Sequence, residues 1–567
     1  MQVFSEMAYE RPDMEETLRF IEDSARKAAG ADSYEKAREI FLELLEKLRH
    51  VSTMETIASI RNTADMTDVF YEKEMEYFHA GNPRLEIARE AFYKVLLESP
   101  FLPDFQKEFG EIYFKRMENA GRLTSEKNVE LQVEESRLSQ QYAKISATCT
   151  AKFHGETLNF YGLLKKMQDT DRGVRREAFA AWADLYASVS GQLDEIYSRL
   201  IEVRCAMAEN LGFSDYVDMA YQKRERFDYG KEDTARFREQ IRRFVVPVCQ
   251  KLFEEQRRRL GLSKLCYYDE ALIYPEGNVE PQGTEEEMIA KAGQMYREMS
   301  PQTGEFFDFM RRYQLFDLTT RPGKQPGGYC TFLEEEKAPF IFSNFNGTSA
   351  DVDVLTHEAG HAFEAYTASR QIPLTEQAFS TAEIDEIHSM SMEFFAYPWM
   401  NLFFGEKADK YIYAHAADAL RVIPYMACVD EFQHRVYQQR LTNPDERYRT
   451  WRELEKIYLP WREYDGCEFL EKGGFWMQKQ HIFLYPFYYI DYALAQMGAF
   501  EYLARMQKNR TAAWEDYLRL CRAGGSRGYF ELLKIGNLSN PFAGGTVEDI
   551  MKGVEAFLGQ AAVRAGM

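Results

Sequence analysis

The chain has 567 residues, 45% of them hydrophobic and 28% charged, and its net charge of −21 leaves no basic field for nucleic acid or an anionic membrane. Residues 1–7 lack the basic and apolar regions of a signal peptide, no apolar run approaches the roughly 18 residues that cross a bilayer, and the eight cysteines are scattered without a C-x-x-C pair. We therefore expect a cytoplasmic globular protein with reduced thiols, long enough for two or more lobes.

Residues 14–260 predict a succession of amphipathic helices, because apolar residues recur among charged ones at helical spacing. The clearest segments are 34–48, 85–97, 101–120 and 175–200. Turns are indicated at Gly30, at Gly81-Asn82-Pro83 and at Asn210-Leu211-Gly212. No fixed repeat is evident, which favours an irregular helical assembly over a solenoid.

Between residues 262 and 350 prolines interrupt the helical pattern, and two short segments have the composition of strands. These segments are 328–332 and 339–345, and the acidic connection 334–336 between them predicts a β-hairpin. An exposed edge strand beside a metal site could align an extended peptide by main-chain hydrogen bonds. A purely structural hairpin has the same pattern, so both interpretations stay open.

The most informative motif is the pentad H-E-x-x-H at residues 357–361, in a chain with only nine histidines. On an α-helix His357 and His361 lie one turn apart, so both imidazoles leave one face and can hold one metal ion. Glu358 is rotated by about 100° from His357. It therefore flanks the metal, where a general base can take a proton from water. Gly360 costs roughly 1 kcal/mol inside a helix relative to alanine, which is understandable if another group approaches closely.

A catalytic zinc ion normally has three protein ligands and a fourth position for water, so a further ligand is expected downstream. Glu386 is the best candidate. Ser380 and Glu383 have the spacing of a capping box, which predicts that a helix starts there. On this helix Glu393 lies two turns beyond Glu386 and could orient a ligand imidazole. The competing ligands are His388, Asp385 and Glu383.

A third candidate segment is 481–492, which is rich in aromatic residues. Tyr485, Tyr489 and Tyr492 recur at helical spacing, which predicts three phenols on one stripe with His481 a turn above. Phenol and imidazole donors directed at a cleft can stabilise the oxyanion of a tetrahedral intermediate. An aromatic core stripe is the alternative interpretation, and spacing alone favours it.

Together these segments make the chain resemble the oligoendopeptidase F family, relatives of thimet oligopeptidase. The resemblance covers most of the chain from about residue 190 onward and, more diffusely, the helical part before it. It rests on His357-Glu358-x-x-His361, Glu386-x-x-Ser389-x-x-x-Glu393, His481 with Tyr489-x-x-Tyr492, and the stretch 430–437 around His434. The spacing from His481 to the tyrosines is one residue shorter than in thimet oligopeptidase. Tyr485, Tyr489 and Tyr492 therefore all remain candidates for the acting phenol, while we expect His434 to be packed or hydrogen-bonded.

The resemblance implies a mainly α, bowl- or clam-shaped fold of two lobes with a deep channel and a small β-sheet beside the zinc helix. It implies an N-terminal helical lobe at 1–190 and a catalytic region at 191–567. The implied function is zinc-dependent hydrolysis of short oligopeptides. In that reading one zinc ion is bound by His357, His361 and Glu386, and Glu358 is the base. His481, Tyr489 and Tyr492 would contact the substrate or stabilise the intermediate.

Two other functions fit the same motifs. A metallocarboxypeptidase also uses H-E-x-x-H on a helical scaffold. A non-catalytic peptide-binding protein with a structural zinc is the alternative from another class, although structural zinc sites are usually closed by four protein ligands.

Overall fold

The structure is a computed structural model that describes residues 1–325 and 327–567. These residues are mainly α-helical with small β-sheets, which confirms the predicted class. Within the described ranges, none of the helices has both the length and the apolar character that a membrane crossing requires.

The α-helices of the described chain are α1 Met14–Ala29, α2 Tyr34–Ala64, α3 Val69–Leu97, α4 Leu102–Phe109, α5 Glu111–Leu123, α6 Val129–Thr148, α7 Phe160–Lys166, α8 Arg172–Asn210, α9 Tyr216–Lys223, α10 Lys231–Gln240, α11 Val246–Arg259, α12 Glu285–Met299, α13 Pro301–Arg312, α14 Ala350–Ala368, α15 Ala382–Phe395, α16 Met400–Phe404, α17 Ala408–Arg421, α18 Ile423–Gln439, α19 Pro444–Tyr458, α20 Glu468–Lys472, α21 Gln480–Leu484, α22 Tyr489–Ala523, α23 Tyr529–Ile535 and α24 Thr546–Arg564. A non-helical residue, Asn509, interrupts α22.

The β-strands are β1 Thr150–Phe153, β2 Glu156–Asn159, β3 Phe316–Thr319, β4 Tyr329–Leu333 and β5 Ala338–Phe345. Short 3₁₀ turns lie at Phe4–Glu6, Glu126–Asn128, Tyr267–Asp269, Thr375–Gln377, Tyr397–Trp399, Gly405–Lys407 and Gly474–Gln478, and a π-helical turn at Ile241–Val245 joins α10 to α11.

The turn predicted at Gly81-Asn82-Pro83 is wrong, because α3 runs through it. A Cβ atom at Gly81 would lie 2.9 Å from Cγ of Met14 in α1, so this glycine lets two helices pack closely. Packing thus outweighs the local preference for a turn. The single helix predicted at 101–120 is two helices, because Gly110 adopts φ +91° between α4 and α5. The helix end and turn predicted at residues 210–212 are confirmed by α8.

The chain forms two compact units. Unit 1 contains Met1–Arg122, Glu280–Ala408 and Glu501–Ser539, and unit 2 contains Leu123–Val279, Asp409–Phe500 and Asn540–Met567. The predicted division at residue 190 falls inside the continuous helix α8. As a division between an N-terminal lobe and a catalytic region it stays a prediction.

The sheet of unit 1 has three strands in the order β3-β5-β4. The predicted hairpin is confirmed by the antiparallel pair β4 and β5, in which Tyr329 lies opposite Phe342 and Leu333 opposite Ala338. The parallel partner β3 was not predicted. β5 is the central strand and is buried along nearly its whole length, as its continuous apolar run requires.

Helix α14 packs on this sheet in unit 1. Phe332 of β4, Ala365 of α14 and Ala378 form one buried apolar cluster. Elsewhere along the helix, the Phe363 ring contacts Trp514 in the C-terminal part of α22. The core therefore holds α14 from more than one side and leaves the pentad in a defined orientation.

Candidate functional site

Helix α14 carries the pentad, and Asp351 anchors the loop before it. The Asp351 carboxylate accepts hydrogen bonds from the N–H groups of Asn346 (2.9 Å) and Gly347 (2.7 Å). Ser349 makes no side-chain cap. The helix begins in the predicted region, and an acidic residue in its first turn also complements the helix dipole.

Helix α15 carries Glu386, but the predicted capping box at its start is wrong. The residue before the first turn is Thr381, and it makes no side-chain cap. The N–H of Ser380 donates to the Asp385 carboxylate at 2.7 Å. This bond takes the amide that a capping Glu383 would need. The helix nevertheless starts within two residues of the predicted position, which leaves Glu386 at the beginning of its second turn.

Three side chains from α14 and α15 converge. Oε2 of Glu386 lies 3.3 Å from Nε2 of His357 and 3.6 Å from Nε2 of His361. The centroids of the His357 and His361 rings are 5.1 Å apart, and the angle between the two ring planes is 81°. All three ligand atoms lie within 4.8 Å of one another, and residues 1–325 and 327–567 contain no other such group of three. Two nitrogens and one oxygen therefore surround a point that a cation can occupy.

Gly360 determines how closely α14 and α15 approach. A Cβ atom there would lie 2.5 Å from Cα of Ser389 and 2.7 Å from the carbonyl oxygen of His388. The close approach expected from this glycine is confirmed, and the neighbouring group is the backbone of α15. This contact brings the Glu386 carboxylate to the imidazoles.

Two further side chains orient the converging groups. Nδ1 of His357 lies 2.6 Å from Oε1 of Glu393, the relation that the sequence predicts. If Nδ1 donates to this carboxylate, the lone pair of Nε2 is left for a cation. Ser389 donates a hydrogen bond to Oε2 of Glu386 at 3.0 Å.

The ionisation of these groups is coupled. Burial opposes the charged form of His357, but hydrogen bonds with Glu386 and Glu393 outweigh burial and raise its pKa well above the usual value. The pKa of His361 is also raised, because its interaction with the nearby Glu386 carboxylate outweighs burial. Burial alone would raise the pKa of Glu386. The two imidazoles lower this pKa by more than burial raises it, so the net shift is downward. A cation must therefore compete with protons held firmly by the imidazoles.

The competing ligands proposed from the sequence lie outside this group. His388 is fully buried, with Nδ1 3.3 Å from Sγ of Cys521 and Nε2 3.3 Å from Oε1 of Glu364. Burial lowers the pKa of His388 to about 3. Asp385 is engaged at the start of α15, and burial raises its pKa to about 6. Glu383 is buried and is not one of the three converging residues.

The predicted stripe of three tyrosines on one helix is wrong. Helix α21 ends at Leu484 and α22 begins at Tyr489, so the chain turns between them. Pro486 explains the break, because the residue before a proline is disfavoured in helical conformation. Phe487 then adopts φ +62°, in the left-handed region. Tyr485 is 51% exposed and lies on neither helix.

The turn nevertheless gathers the other aromatic residues around His481 in unit 2. The ring centroid of His481 lies 4.8 Å from that of Tyr489, 5.8 Å from that of Tyr488 and 6.1 Å from that of Tyr492. Lys479, which the sequence did not single out, donates a hydrogen bond to the Tyr489 hydroxyl at 2.9 Å. His481, Tyr489 and Tyr492 thus form one cluster, although not the predicted one.

His434 is packed and hydrogen-bonded, as expected. Its Nδ1 lies 2.9 Å from the carbonyl oxygen of Asp430, and its Nε2 lies 3.1 Å from the hydroxyl of Tyr221. Burial lowers its pKa to about 4. A neutral, fully engaged imidazole of this kind is a structural element of unit 2.

Two regions of the chain match known protein families. Residues 4–123 match the Peptidase M3 N-terminal domain, and residues 165–550 match Peptidase family M3. Among solved structures, the chain is similar to PZ peptidase A with inhibitor 2, at 42% identity over 98% of this chain and 99% of that chain, with a TM-score of 0.92. It is also similar to a Bacillus anthracis str. Ames protein provisionally named oligoendopeptidase F, at 39% identity over 99% and 98% of the two chains, with a TM-score of 0.88.

A curated relative is the oligoendopeptidase F homolog of Borreliella burgdorferi. It is 21% identical over 382 residues, which are 65% of this chain and 62% of that protein. The chain therefore spans less than two thirds of the length of this curated relative.

Proposed function

Because the chain belongs to peptidase family M3, we propose that it is a zinc-dependent endopeptidase that hydrolyses short oligopeptides. The observation that carries the proposal is the convergence of His357, His361 and Glu386, whose ligand atoms lie within 4.8 Å of one another. The name of the Borreliella burgdorferi relative agrees with it.

The donor set fits a catalytic zinc ion. Two imidazoles and one carboxylate are a known ligand set of such sites and leave a fourth position for water or substrate. The contact between Nδ1 of His357 and Glu393 supports the assignment. A metal-binding histidine usually donates a hydrogen bond from its other ring nitrogen to a carboxylate or a carbonyl. When bound, the zinc ion would polarise the scissile carbonyl and lower the pKa of a water molecule. A structural zinc would normally have four protein ligands, so this set weighs against a non-catalytic role.

We assign the general base to Glu358. It follows His357 directly on α14 and is partly exposed, whereas Glu364 on the same helix is fully buried. The Glu358 carboxylate would accept a proton from the attacking water and later transfer it to the nitrogen of the leaving amine. The peptide C–N bond then breaks, and the products are a carboxylate and an amine.

We assign the contacts with the carbonyl oxygen of the intermediate to His481, Tyr489 and Tyr492. The hydroxyl of Tyr489 accepts its hydrogen bond from Lys479, so its own proton is available for donation. Tyr489 and Tyr492 are neighbours, with ring centroids 5.8 Å apart. Tyr485 also lies near His481, with ring centroids 6.0 Å apart, but it is the weaker candidate because it lies outside both helices and its side chain is 51% exposed.

We propose that the edge of β4 aligns the peptide. The N–H of Ile341 in β5 donates a hydrogen bond to the carbonyl oxygen of Leu315, the residue before β3. Along a strand, the backbone N–H and C=O groups of successive residues point to opposite sides. Cys330 of β4 lies opposite Ile341, so the N–H and C=O groups of Cys330, and those of Phe332 two residues on, point away from β5. Phe332 also packs on Ala365 of α14, which places this edge beside the pentad helix. An extended substrate could pair with these groups.

The proposal is tested with an internally quenched peptide that is blocked at both ends. We expect cleavage by the zinc-loaded protein, and we expect Glu358→Gln to abolish it while one zinc per chain is retained. Glu336→Gln, in the exposed connection after β4, is the matched control and should cleave normally. Near-native turnover by Glu358→Gln would show that the base assignment is wrong.

The same peptide separates the endopeptidase from a metallocarboxypeptidase. Only an endopeptidase can cut a substrate without free termini, and mass spectrometry of the products locates the bond. If only the unblocked peptide is cleaved, and from its C-terminus, the carboxypeptidase function replaces the proposal.

A further inference from the structure

Residues 485–488, between α21 and α22, have a backbone conformation that needs support from other parts of the chain. Phe487 adopts φ +62° with a fully buried ring. The left-handed backbone conformation is energetically unfavourable for a bulky residue such as phenylalanine. It persists only where the surrounding structure imposes it. The groups that impose it can be read from the hydrogen bonds of this segment.

Three polar side chains bind the backbone of the segment. The N–H of Phe487 donates to Oε1 of Gln433 at 3.0 Å, and its carbonyl accepts from Arg226 at 2.5 Å. The carbonyl of Pro486 accepts from Nε of Arg224 at 2.9 Å. Both backbone groups of the strained residue are therefore held by side chains from distant parts of unit 2.

The two arginines also connect the segment to the first turn of α22. Arg226 forms an ion pair with the Asp491 carboxylate at 2.5 Å, and both side chains are almost completely buried. The guanidinium of Arg224 lies 4.6 Å from the ring centroid of Tyr488 and 3.6 Å from the same carboxylate. A charged pair with planar, fixed geometry is well suited to hold a loop in one conformation.

The turn is what brings His481 to Tyr489. In one continuous helix these residues would be separated by about 12 Å along the axis, since eight residues rise 1.5 Å each. The observed distance between their ring centroids is 4.8 Å. A change in the conformation of residues 485–488 would therefore separate the two side chains.

We propose that Arg224 and Arg226 are positioning residues that hold residues 485–488 in the conformation that sets His481 against Tyr489. The inference rests on the proposed function, in which His481 and Tyr489 contact the reacting carbonyl. The arginines themselves touch the loop and α22 and take no part in the bond changes.

Arg224→Met is the decisive variant. Truncating Arg226 would leave the Asp491 carboxylate buried without its closest partner and can unfold the protein, whereas Arg224 is partly exposed. We expect kcat to fall tenfold or more, because small displacements of catalytic groups cost that much, with zinc content unchanged. Hydrogen exchange of the amides of Tyr485, Phe487 and Tyr488 should become faster. Arg224→Lys should recover part of kcat.

The matched control is Arg435→Met, which removes another partly exposed arginine of unit 2 from its ion pair with Glu431. It should leave kcat and exchange at 485–488 near the wild-type values. Unchanged kcat or unchanged exchange in Arg224→Met overturns the proposal.

A His481→Ala background separates positioning from general damage. If Arg224 acts through His481, adding Arg224→Met should slow this variant less than twofold further; a full additional tenfold loss contradicts positioning. If the wild-type protein cleaves no peptide, the proposed function fails, and hydrogen exchange still decides whether the arginines hold the loop.

Discussion

Replacing Gly360 with alanine tests whether the contact between α14 and α15 determines the geometry of the proposed metal site. The new Cβ would lie 2.5 Å from Cα of Ser389, whereas ordinary contact begins near 3.4 Å. The two helices must therefore separate by the difference, about 0.9 Å, because the opposing atoms belong to a backbone that cannot rotate away.

The stability of the Gly360→Ala variant follows from two opposing effects. Alanine gains about 1 kcal/mol of helix propensity, and overpacking costs about 1–3 kcal/mol. The net loss is therefore at most about 2 kcal/mol. Zinc binding is more sensitive, because ligand distances near 2.0–2.2 Å require the side chains to be held within about 0.5 Å. We expect zinc affinity to fall at least tenfold.

Chelator competition measures the zinc affinity, and denaturant unfolding measures the stability. Gly191→Ala is the matched control, since Gly191 lies inside the helix α8 and a Cβ there would meet nothing within 4 Å. This control should gain about 1 kcal/mol of stability with unchanged zinc affinity. If Gly360→Ala matches the control in both measurements, the reasoning from close packing is refuted.

Four further predictions concern the proposed metal site and the aromatic cluster around His481. Glu386→Ala should remove most of the bound zinc in elemental analysis; full retention would point to another ligand. Glu393→Gln should weaken zinc binding about 10–100-fold without abolishing it, because it removes the charged partner of Nδ1 of His357; unchanged affinity in chelator competition would contradict this. Zinc affinity should still rise above pH 6.5, because the raised pKa of His357 means that protons leave it only at higher pH; an affinity that is flat above pH 6.5 in the same assay would contradict it. Tyr489→Phe should lower kcat about 10²-fold while Tyr485→Phe leaves it nearly unchanged; the reverse order in steady-state kinetics would exchange their roles.

The pKa shifts of His357 and Glu386 also make the stability of the folded protein depend on pH. In the metal-free protein, the raised pKa of His357 contributes stability that is present at acidic pH and is lost as pH rises through its folded-state value. The lowered pKa of Glu386 contributes stability that is present above its unfolded value, about 4.3, and is lost as pH falls. In thermal unfolding of chelator-treated protein, these two groups should therefore contribute most to stability at mildly acidic pH. Their contribution should fall as the pH is either lowered or raised from that range.

Local patterns predicted the elements that depend on neighbouring residues. The pentad, the β4–β5 hairpin and the end of α8 follow from helical spacing, strand composition and a glycine turn. Pro486 was a local signal that the aromatic segment is not one helix, and the periodicity of the tyrosines concealed it. Gly81 misled in the opposite direction, since its small size serves packing against Met14.

The sequence alone determines that His357 and His361 leave one face of a helix with Glu358 beside them, because 3.6 residues per turn is a property of the local chain. Only the tertiary structure brings Glu386 to those imidazoles, through the backbone contact that Gly360 permits. Likewise, Pro486 interrupts the helix locally, but side chains from distant parts of the chain bind the backbone of Phe487 in the turn between His481 and Tyr489. Contacts between residues far apart in the chain depend on packing over the whole unit, and no local pattern encodes them.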